Sequence, residues 1–481
     1  MNLYRFLFLF SFIILCSCSD KSSNLGPKDE NTKRAKTIES AERDLADIQN
    51  DGVLRALVVY SSTSYFLYRG QPMGFEYELL EKLAKDLNLE LEIIVSRDLD
   101  NQFEILNNGD VDIIAHGMTI TNQRKWEVDF TEYLYLTKQV LVQKKPDNYR
   151  RLSWRTINKS LIKDPIELIG DTISIRVNSA YYERILSLSN ELGGKIHIDT
   201  LDSQLSTGEI IEMVANGDIK YTVADENLAR INASYRPILN VDVPISFTQR
   251  IAWVTRKNSS NLTQAIDSWI IKNRNNLDYR VIYNKYFKNK SSFKKRSDSK
   301  YYSLNNKQIS RYDDAIKKCA SDIGWDWRLI ASQVYQESKF DPKANAWTGA
   351  SGLMQIMPST ASDLELNDSA DPLQSLKAGT TYLSQIYERF DYIKDTITRQ
   401  KFTLAAYNCG YGHILDGQRI AEKEGLDPNE WENNVESALL SLRYPNTYNK
   451  PYVKYGYVKG TEPVKYVREI FERYSHYQVF F

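Results

Sequence analysis

The residues with the clearest chemical potential surround a single glutamate in the last third of the chain. The segment Gln336 to Pro342 follows apolar residues at helical spacing, and Pro342 cannot continue a helix. Glu337 is therefore predicted in the last helical turn, where the helix dipole disfavours its charged form and aromatic neighbours would raise its pKa by desolvation. Such a carboxyl can act as a general acid near neutral pH. Taken alone, Glu337 would be interpreted as an exposed helix-end residue.

Three further segments could complete a site around this acid. The glycine-rich segment Gly349 to Ala361 allows close approach of the backbone to a ligand. It carries Gln355, whose amide can bind a sugar, and two methionines that offer adaptable apolar surface. Ala405 to Gly410 and Gly460 to Val467 follow in order. Singly, the methionines and the tyrosine of the last segment would be assigned to a core; four segments in this order indicate a site.

Together, these segments resemble the lysozyme-like lytic transglycosylases of glycoside hydrolase family 23. The resemblance implies that Glu337 is the sole catalytic acid/base and that Tyr466 hydrogen-bonds to it. It also implies a set of sugar-contacting and cleft-lining residues, namely Ser338, Gln355, Met354, Tyr407 and Asn408. Ala346 and Cys409 depart from the family pattern, which bears on local packing and not on the acid.

The mechanism follows from the missing second carboxylate. Most glycosidases use two, but substrate-assisted enzymes let the sugar's N-acetyl group attack the anomeric carbon. Asp341, one turn after Glu337, is interpreted as a turn residue. We therefore predict non-hydrolytic cleavage of the N-acetylmuramic acid to N-acetylglucosamine β-1,4 bond of peptidoglycan, leaving 1,6-anhydro ends. Two alternatives stay open: a hydrolytic muramidase, and a sensor or solute-binding protein that grips peptidoglycan without turnover.

No metal or other cofactor is expected. The 4 histidines lack the HExxH-like spacing of zinc enzymes, and no Cys/His cluster is present. Lys+Arg and Asp+Glu are equal at 62 each, so no net charge recruits nucleic acid. A chain of 481 residues with 42% hydrophobic residues should fold into two or three domains. Cys319 and Cys409 could form a disulfide or remain free thiols.

In the first half, strands alternate with helices from Gly52 to about Tyr286, which predicts a parallel sheet. The segments Gly117 to Arg124 and Val128 to Thr131 resemble the bacterial extracellular solute-binding proteins of family 3, which capture polar amino acids. The resemblance implies two lobes that close around a ligand. The chain should cross to the second lobe near Val142 and return near residues 244–254.

An amino-acid ligand needs donors for its carboxylate and an acceptor for its ammonium group. Arg124 offers a bidentate fork and Thr119 a hydroxyl. By resemblance, Asp225 holds the ammonium group; Ser179 is a weaker candidate from the second lobe. A solvated loop position or a structural ion pair is the alternative for each residue. We expect an amino acid or stem-peptide fragment as ligand, and hypothesise that it alters access to the cleft.

The N-terminus predicts export and lipid anchoring. Arg5 precedes the apolar run Phe6 to Leu15, which is too short to span a bilayer but suits a secretory signal. The run ends in a sequence that resembles the lipobox of bacterial lipoproteins, with Cys18 as the lipidated residue and Cys16 as a rival. A plain cleaved signal is the alternative. Ser19 favours, by resemblance, the outer membrane facing the periplasm, with retention at the inner membrane left open.

These features predict an α/β two-lobed periplasmic-binding-protein-like domain followed by a mostly α lysozyme-like domain. A run of Lys and Arg between the two is interpreted as a solvated linker, or less readily as a patch for anionic lipid or polymer. The predicted boundaries are a signal peptide at 1–17, a tether at 18–47, the solute-binding-like domain at 48–287, the basic linker at 288–305 and the lytic transglycosylase domain at 306–481.

Overall fold

The first half of the chain forms an α/β fold, as its alternation of strand and helix patterns predicted. The structure, a computed structural model, describes residues 40–96, 100–304 and 308–481, and Ser40–Phe481 forms a single unit. Its strands are β1 (Val53–Val59), β2 (Phe66–Tyr68), β3 (Gln71–Met73), β4 (Glu90–Ser96), β5 (Ile113–Thr119), β6 (Asp129–Thr137), β7 (Gln139–Lys144), β8 (Thr172–Arg176), β9 (His197–Leu201), β10 (Tyr221–Asp225), β11 (Leu239–Asn240) and β12 (Gln249–Thr255).

The first lobe is built on a five-stranded sheet with the order β4-β1-β5-β12-β6. Strand β1 pairs in parallel with β4 and β5, whereas β12 pairs antiparallel with β5 and β6. The predicted parallel sheet is therefore confirmed for three strands, and the returning chain adds an antiparallel pair. Ligands of open α/β sheets bind beyond the carboxyl ends of the parallel strands, so β1 and β5 point toward the expected site.

The second lobe contains a three-stranded sheet, β10-β7-β11, and the parallel pair β8-β9. The chain crosses from the first sheet to the second between Thr137 and Gln139, slightly before the Val142 that the sequence predicted. It returns between β11 and β12, close to the predicted interval. Two separate apolar clusters fill this lobe, one on each side of β7.

The helices of the α/β region follow the predicted periodicity, and glycines end several of them in the left-handed conformation. Gly109, for example, has φ +86 and ends the short helix Gln102–Asn108. These helices are α1 (Leu45–Asp51), α2 (Phe75–Asp86), α3 (Gln102–Asn108), α4 (Trp154–Lys159), α5 (Ala180–Leu192), α6 (Thr207–Asn216), α7 (Glu226–Tyr235), α8 (Ser260–Asn273) and α9 (Leu277–Phe287), with 3-10 turns at Arg124–Trp126, Tyr149–Arg151 and Pro165–Leu168.

The ends of this region differ from the solvated segments that the sequence predicted. The predicted tether reaches into α1, which begins with a capping box at Asp44. The predicted basic linker contains helix α10 (Lys290–Ser297), in which Phe293 and Arg296 are buried. The Arg296 guanidinium lies 5.5 Å from the Phe66 ring and 5.4 Å from the Tyr286 ring. Cation–π contacts with a distant strand and with the preceding helix thus hold a segment that the sequence predicted to be a solvated linker.

The last part of the chain is helical, as its 3.6-residue periodicity predicted. An irregular turn at Trp431–Val435, in which Glu432 and Asn433 have non-helical backbone angles, leads into the shorter helices near the end. The helices are α11 (Asp313–Asp322), α12 (Trp327–Ser338), α13 (Pro358–Asp363), α14 (Pro372–Glu388), α15 (Thr396–Cys409), α16 (Tyr411–Lys423), α17 (Glu436–Ser441), α18 (Pro445–Tyr448) and α19 (Thr461–Phe480).

Helix α19 joins the helical domain to the first lobe. On one side it packs against α12 and α15. On the other, the Phe480 ring stacks on Tyr60 with ring centroids 3.8 Å apart, and the Tyr477 hydroxyl donates to the Gly70 carbonyl at 3.0 Å. One apolar core consequently runs through the first lobe and the helical domain.

A buried histidine strengthens this interface. His476 Nε2 lies 2.9 Å from the Ile93 carbonyl, and Nδ1 lies 2.7 Å from the Tyr65 hydroxyl. A carbonyl oxygen can only accept, so Nε2 carries the proton and Nδ1 accepts from Tyr65. Burial lowers the pKa of His476 to about 4, which keeps the ring neutral. The two domains therefore share a satisfied polar contact inside their common core.

Candidate active site and ligand pocket

Helix α12 places Glu337 at its carboxyl end. The helix starts at Asp326, whose side chain accepts from the Arg328 amide, and it buries its apolar residues in the common core. It ends after Ser338 because Lys339 and Phe340 both adopt positive φ angles, 51° and 63°. Consecutive left-handed residues other than glycine are uncommon and strained. The chain turns away sharply, so Glu337 stays in a last turn, as predicted.

The surroundings of Glu337 favour its protonated form. Burial raises the pKa of Glu337 to about 7, and the hydrogen bond from the Tyr466 hydroxyl acts in the opposite direction. Gln333 Nε2 donates to the Tyr466 oxygen at 3.2 Å and so fixes the direction of that hydroxyl. The charge of Glu337 also contributes to a raised pKa of Tyr407, which places the two side chains close together. A substantial fraction of Glu337 thus holds a proton at neutral pH.

The glycine-rich loop is fastened to α12 and α15 from inside the domain. Ser338 Oγ donates to the Leu353 carbonyl at 2.9 Å, and the Tyr407 hydroxyl donates to the Met354 carbonyl at 2.8 Å. Met354 is fully buried and lies so close to Gly379 that a Cβ there would come within 2.3 Å of its sulfur. Ser338 was predicted to contact the sugar and Met354 to line the cleft; in this structure both side chains are buried and hold the loop.

Two other predicted substrate contacts lie nearer the surface. Asn408 is exposed near the end of α15. Gln355 has φ 50°, and its amide nitrogen donates to the carbonyls of Ala344 at 2.9 Å and Gly352 at 3.0 Å. Both amide hydrogens of Gln355 are thereby used within the loop, so its amide oxygen is the atom left for a sugar hydroxyl.

The remaining candidates of this domain have structural surroundings. Asp341 accepts from the Lys343 amide at 3.0 Å, which is the turn role expected of it. Cys319 is buried and Cys409 is half-buried, and both are free thiols. Among the residues that the structure describes, no group of three His, Cys, Asp or Glu side chains is arranged to hold a metal ion.

The residues predicted to bind a ligand line one cavity between the two lobes. This cavity of about 130 Å³ has Thr119 and Arg124 on the first lobe and Ser179 and Asp225 on the second. Burial raises the pKa of Asp225 to about 7, with the Tyr181 hydroxyl acting in the opposite direction. Arg124 is fixed by a bond from Nη1 to the Thr119 carbonyl at 3.2 Å. The structure thus brings all four sequence candidates together.

Sequence reasoning missed three polar groups of the same cavity. Glu76 is buried at the start of α2, and burial raises its pKa to about 8. Burial and the nearby Arg176 and Arg124 lower the pKa of His116 to about 3. Arg176, the last residue of β8, also lines the cavity. The sequence could have indicated Arg176 as a site residue, because it lies at the carboxyl end of a strand and close to the candidate Ser179.

Two family models match the chain. The bacterial extracellular solute-binding proteins of family 3 match residues 40–289, and the transglycosylase SLT domain matches residues 314–429. The fold and the two sites therefore define a solute-binding module joined to a transglycosylase domain.

Curated relatives match nearly the whole chain. It is 35% identical over 434 residues to the membrane-bound lytic murein transglycosylase F of Desulfosudis oleivorans, covering 89% of this chain and 90% of the relative. The protein of that name from Stutzerimonas stutzeri is 30% identical over 470 residues, covering 96% and 88%. The chain belongs to the family of membrane-bound lytic murein transglycosylase F. It is a lytic transglycosylase with an N-terminal solute-binding module.

Among solved structures, the chain is similar to a mutant of ArgBP from T. maritima, with 22% identity and a TM-score of 0.42. That alignment covers 50% of this chain and 98% of the other.

Proposed function

We propose that the chain cleaves the N-acetylmuramic acid to N-acetylglucosamine β-1,4 bond of peptidoglycan without water, with Glu337 as its only acid/base. The observation that carries this proposal is a mostly buried glutamic acid with a pKa of about 7, hydrogen-bonded by Tyr466, inside the segment that matches a transglycosylase domain. A carboxyl that keeps its proton at neutral pH suits a general acid.

In the first step, Glu337 donates its proton to the oxygen of the scissile bond as that bond breaks. The N-acetyl carbonyl of the muramic acid stabilises the cation at its anomeric carbon. Glu337, now a carboxylate, takes the proton from the C6 hydroxyl, whose oxygen closes the 1,6-anhydro ring. The glutamate ends in the protonation state in which it began, so a single carboxyl serves both steps.

The neighbouring residues position this acid and the sugar. Tyr466 steadies the carboxylate after it has lost its proton, because its hydroxyl donates to Glu337. Tyr407 and the exposed Asn408 line the cleft in this proposal, and the amide oxygen of Gln355 accepts from a sugar hydroxyl. Ser338 and Met354 act indirectly by holding the glycine-rich loop against α12.

A product analysis tests the reaction. Purified protein is incubated with sacculi, and the masses of the released muropeptides are measured by mass spectrometry. We expect anhydro products, one water lighter than hydrolysed ones; hydrated ends would instead support a muramidase.

Glu337→Gln keeps the shape but cannot donate the proton, and should release products about 1,000-fold more slowly. Glu388→Gln, an exposed acid of α14, is the matched control. If the wild type releases nothing, the sensor alternative is favoured.

For the N-terminal module we propose capture of an amino acid or stem-peptide fragment, with Thr119 and Arg124 on its carboxylate and Asp225 on its ammonium group. Their convergence on one cavity between the lobes supports this. We also retain the hypothesis that binding alters access to the cleft, which requires the ligand to distinguish two conformations of the protein. Turnover measured with and without ligand tests it; equal rates would reject it.

Anchoring to the outer membrane through lipidated Cys18, facing the periplasm, is part of the same proposal. Cys18 lies outside the described residues. None of the helices in the described part is both long and apolar enough to cross a membrane. Metabolic labelling with a palmitate analogue, compared between the wild type and Cys18→Ala, tests the anchor. The domain boundaries given above remain a prediction.

A further inference from the structure

The cavity between the lobes contains two guanidinium groups. Arg124 follows β5 in the first lobe, and Arg176 ends β8 in the second. Their charges are close, since Arg176 contributes to a lowered pKa of Arg124. Each makes a hydrogen bond to a carbonyl: Arg124 to Thr119 at 3.2 Å, and Arg176 to Leu205 at 3.4 Å. Within the described part of the chain, neither forms a salt bridge with a carboxylate.

The acids of the cavity do not balance this pair. Glu76 is buried and Asp225 is half-buried, and desolvation raises the pKa of both carboxyls, so neither carries a full negative charge at neutral pH. Asp100, which does attract Arg176, is exposed at the rim and accepts a hydrogen bond from Asn178 Nδ2 at 3.0 Å. Two partly buried cations without a full counter-charge are costly. The cavity is therefore built for an anionic partner.

Several buried polar atoms also face this cavity without a protein partner. They include Oε2 of Glu76, Oδ1 of Asp225 and Nδ2 of Asn227. Polar groups left unpaired in a protein interior are rare and mark ligand sites or bound water. The site thus offers a carboxylate for an ammonium group in addition to its two arginines.

We infer that Arg176 is a second anion site and that the module takes a dicarboxylic α-amino acid. The main-chain carboxylate binds Arg124 and Thr119, the ammonium group binds Asp225, and the side-chain carboxylate binds Arg176. This inference rests on the proposed binding role of the module and narrows it. A cationic amino acid is disfavoured because its side chain would meet a second guanidinium.

The size of the cavity agrees with one amino acid. Its volume of about 130 Å³ is below the roughly 300 Å³ at which pockets for drug-sized ligands begin. Asn178 of the second lobe donates to Asp100 of the first lobe at 3.0 Å across the rim of the cavity. A peptide would not fit in this volume.

Calorimetry on the purified full-length protein tests the inference with acid and amide pairs. We expect L-glutamate or L-aspartate to bind at least about tenfold more tightly than its amide, because a bidentate charge-assisted contact is lost in the amide. L-Arginine should bind more weakly still. Arg176→Gln should abolish the preference for the acid while keeping the affinity for the amide. Arg124→Gln should weaken both ligands.

Arg230→Gln is the matched control, since Arg230 is half-exposed on α7 and pairs with Glu226 outside the cavity. An amide or arginine that binds the wild type as tightly as the acid would overturn the inference alone. So would an Arg176→Gln variant that keeps the preference, or one that weakens acid and amide equally, which would place both arginines on one carboxylate. If no amino acid binds, both the inference and the proposed role of the module are wrong. Sacculus digestion tests the catalytic proposal separately.

Discussion

Glu337 of the helical domain and Asp225 of the α/β region both have a pKa that burial raises to about 7, yet the two carboxyl groups are surrounded differently. Glu337 receives a hydrogen bond from Tyr466, which is itself held by Gln333. Asp225 lies in a cavity that also contains Arg124 and Arg176. Burial raises both pKa values, but the neighbouring residues determine the role that each carboxyl group can take. In the functions proposed above, Glu337 gives its proton to the scissile oxygen, whereas Asp225 loses its proton when an ammonium group binds.

The largest effect on ligand binding should follow from replacing Asp225 by asparagine, which keeps the shape and removes the charge that meets the ammonium group. We expect Asp225→Asn to weaken binding of the preferred amino acid about 100-fold, because one partner of a buried ion pair is lost. Calorimetry measures this directly. Glu337→Gln serves as the counterpart and should leave that affinity unchanged. Equal affinity of wild type and Asp225→Asn would show that the ammonium group binds elsewhere.

The two carboxyls should also give opposite pH dependences. Turnover needs protonated Glu337, so its rate should fall about tenfold per unit as pH rises above about 7. Ligand binding needs ionised Asp225, so affinity should fall by a similar factor per unit as pH drops below about 7. The rate of sacculus digestion is measured between about pH 6 and 9. The affinity for the ligand is measured by calorimetry between about pH 5 and 7. Parallel trends would remove the distinction between the two acids.

A smaller effect should follow from Tyr466→Phe. The Tyr466 hydroxyl stabilises the ionised form of Glu337, so its removal should raise the pKa of Glu337 and move the midpoint of the rate profile to higher pH. Turnover at the optimum should fall about fivefold, equivalent to about 1 kcal/mol. Tyr474→Phe on the same helix, whose hydroxyl donates to Asp326 at 3.1 Å, should leave the midpoint unchanged. A lower rate with a fixed midpoint would assign Tyr466 a packing role only.

The contrast between the regions extends to what the sequence could predict. The position of Glu337 followed from helical periodicity and from Pro342, both local features. A motif, however, identifies a residue without giving the direction of its side chain. Ser338 and Met354 therefore matched the expected pattern and yet point into the domain.

In the α/β region, the unpredicted features depend on long-range contacts. Arg176 and Arg124 lie on different lobes and meet at one cavity, and no spacing in the sequence encodes their nearness. Arg296 was assigned to a solvated linker because its neighbours are basic, although it is buried against Phe66 from a distant strand and Tyr286 from the preceding helix. Local patterns thus predicted the elements, and tertiary contacts determined which charges are buried.

At the interface that joins the two regions, the expected effect is on stability. Tyr65→Phe removes the only donor to Nδ1 of His476 among the described residues, leaving a buried acceptor without a partner. The free energy of unfolding should fall by about 1 to 2 kcal/mol. Urea unfolding followed by fluorescence measures it, with Tyr474→Phe as a control whose partner Asp326 keeps its bonds to Arg328.

Because one core runs through both regions, we expect a single transition that shifts as a whole. Two separate transitions, with only one displaced, would mean that the domains unfold independently despite the shared core.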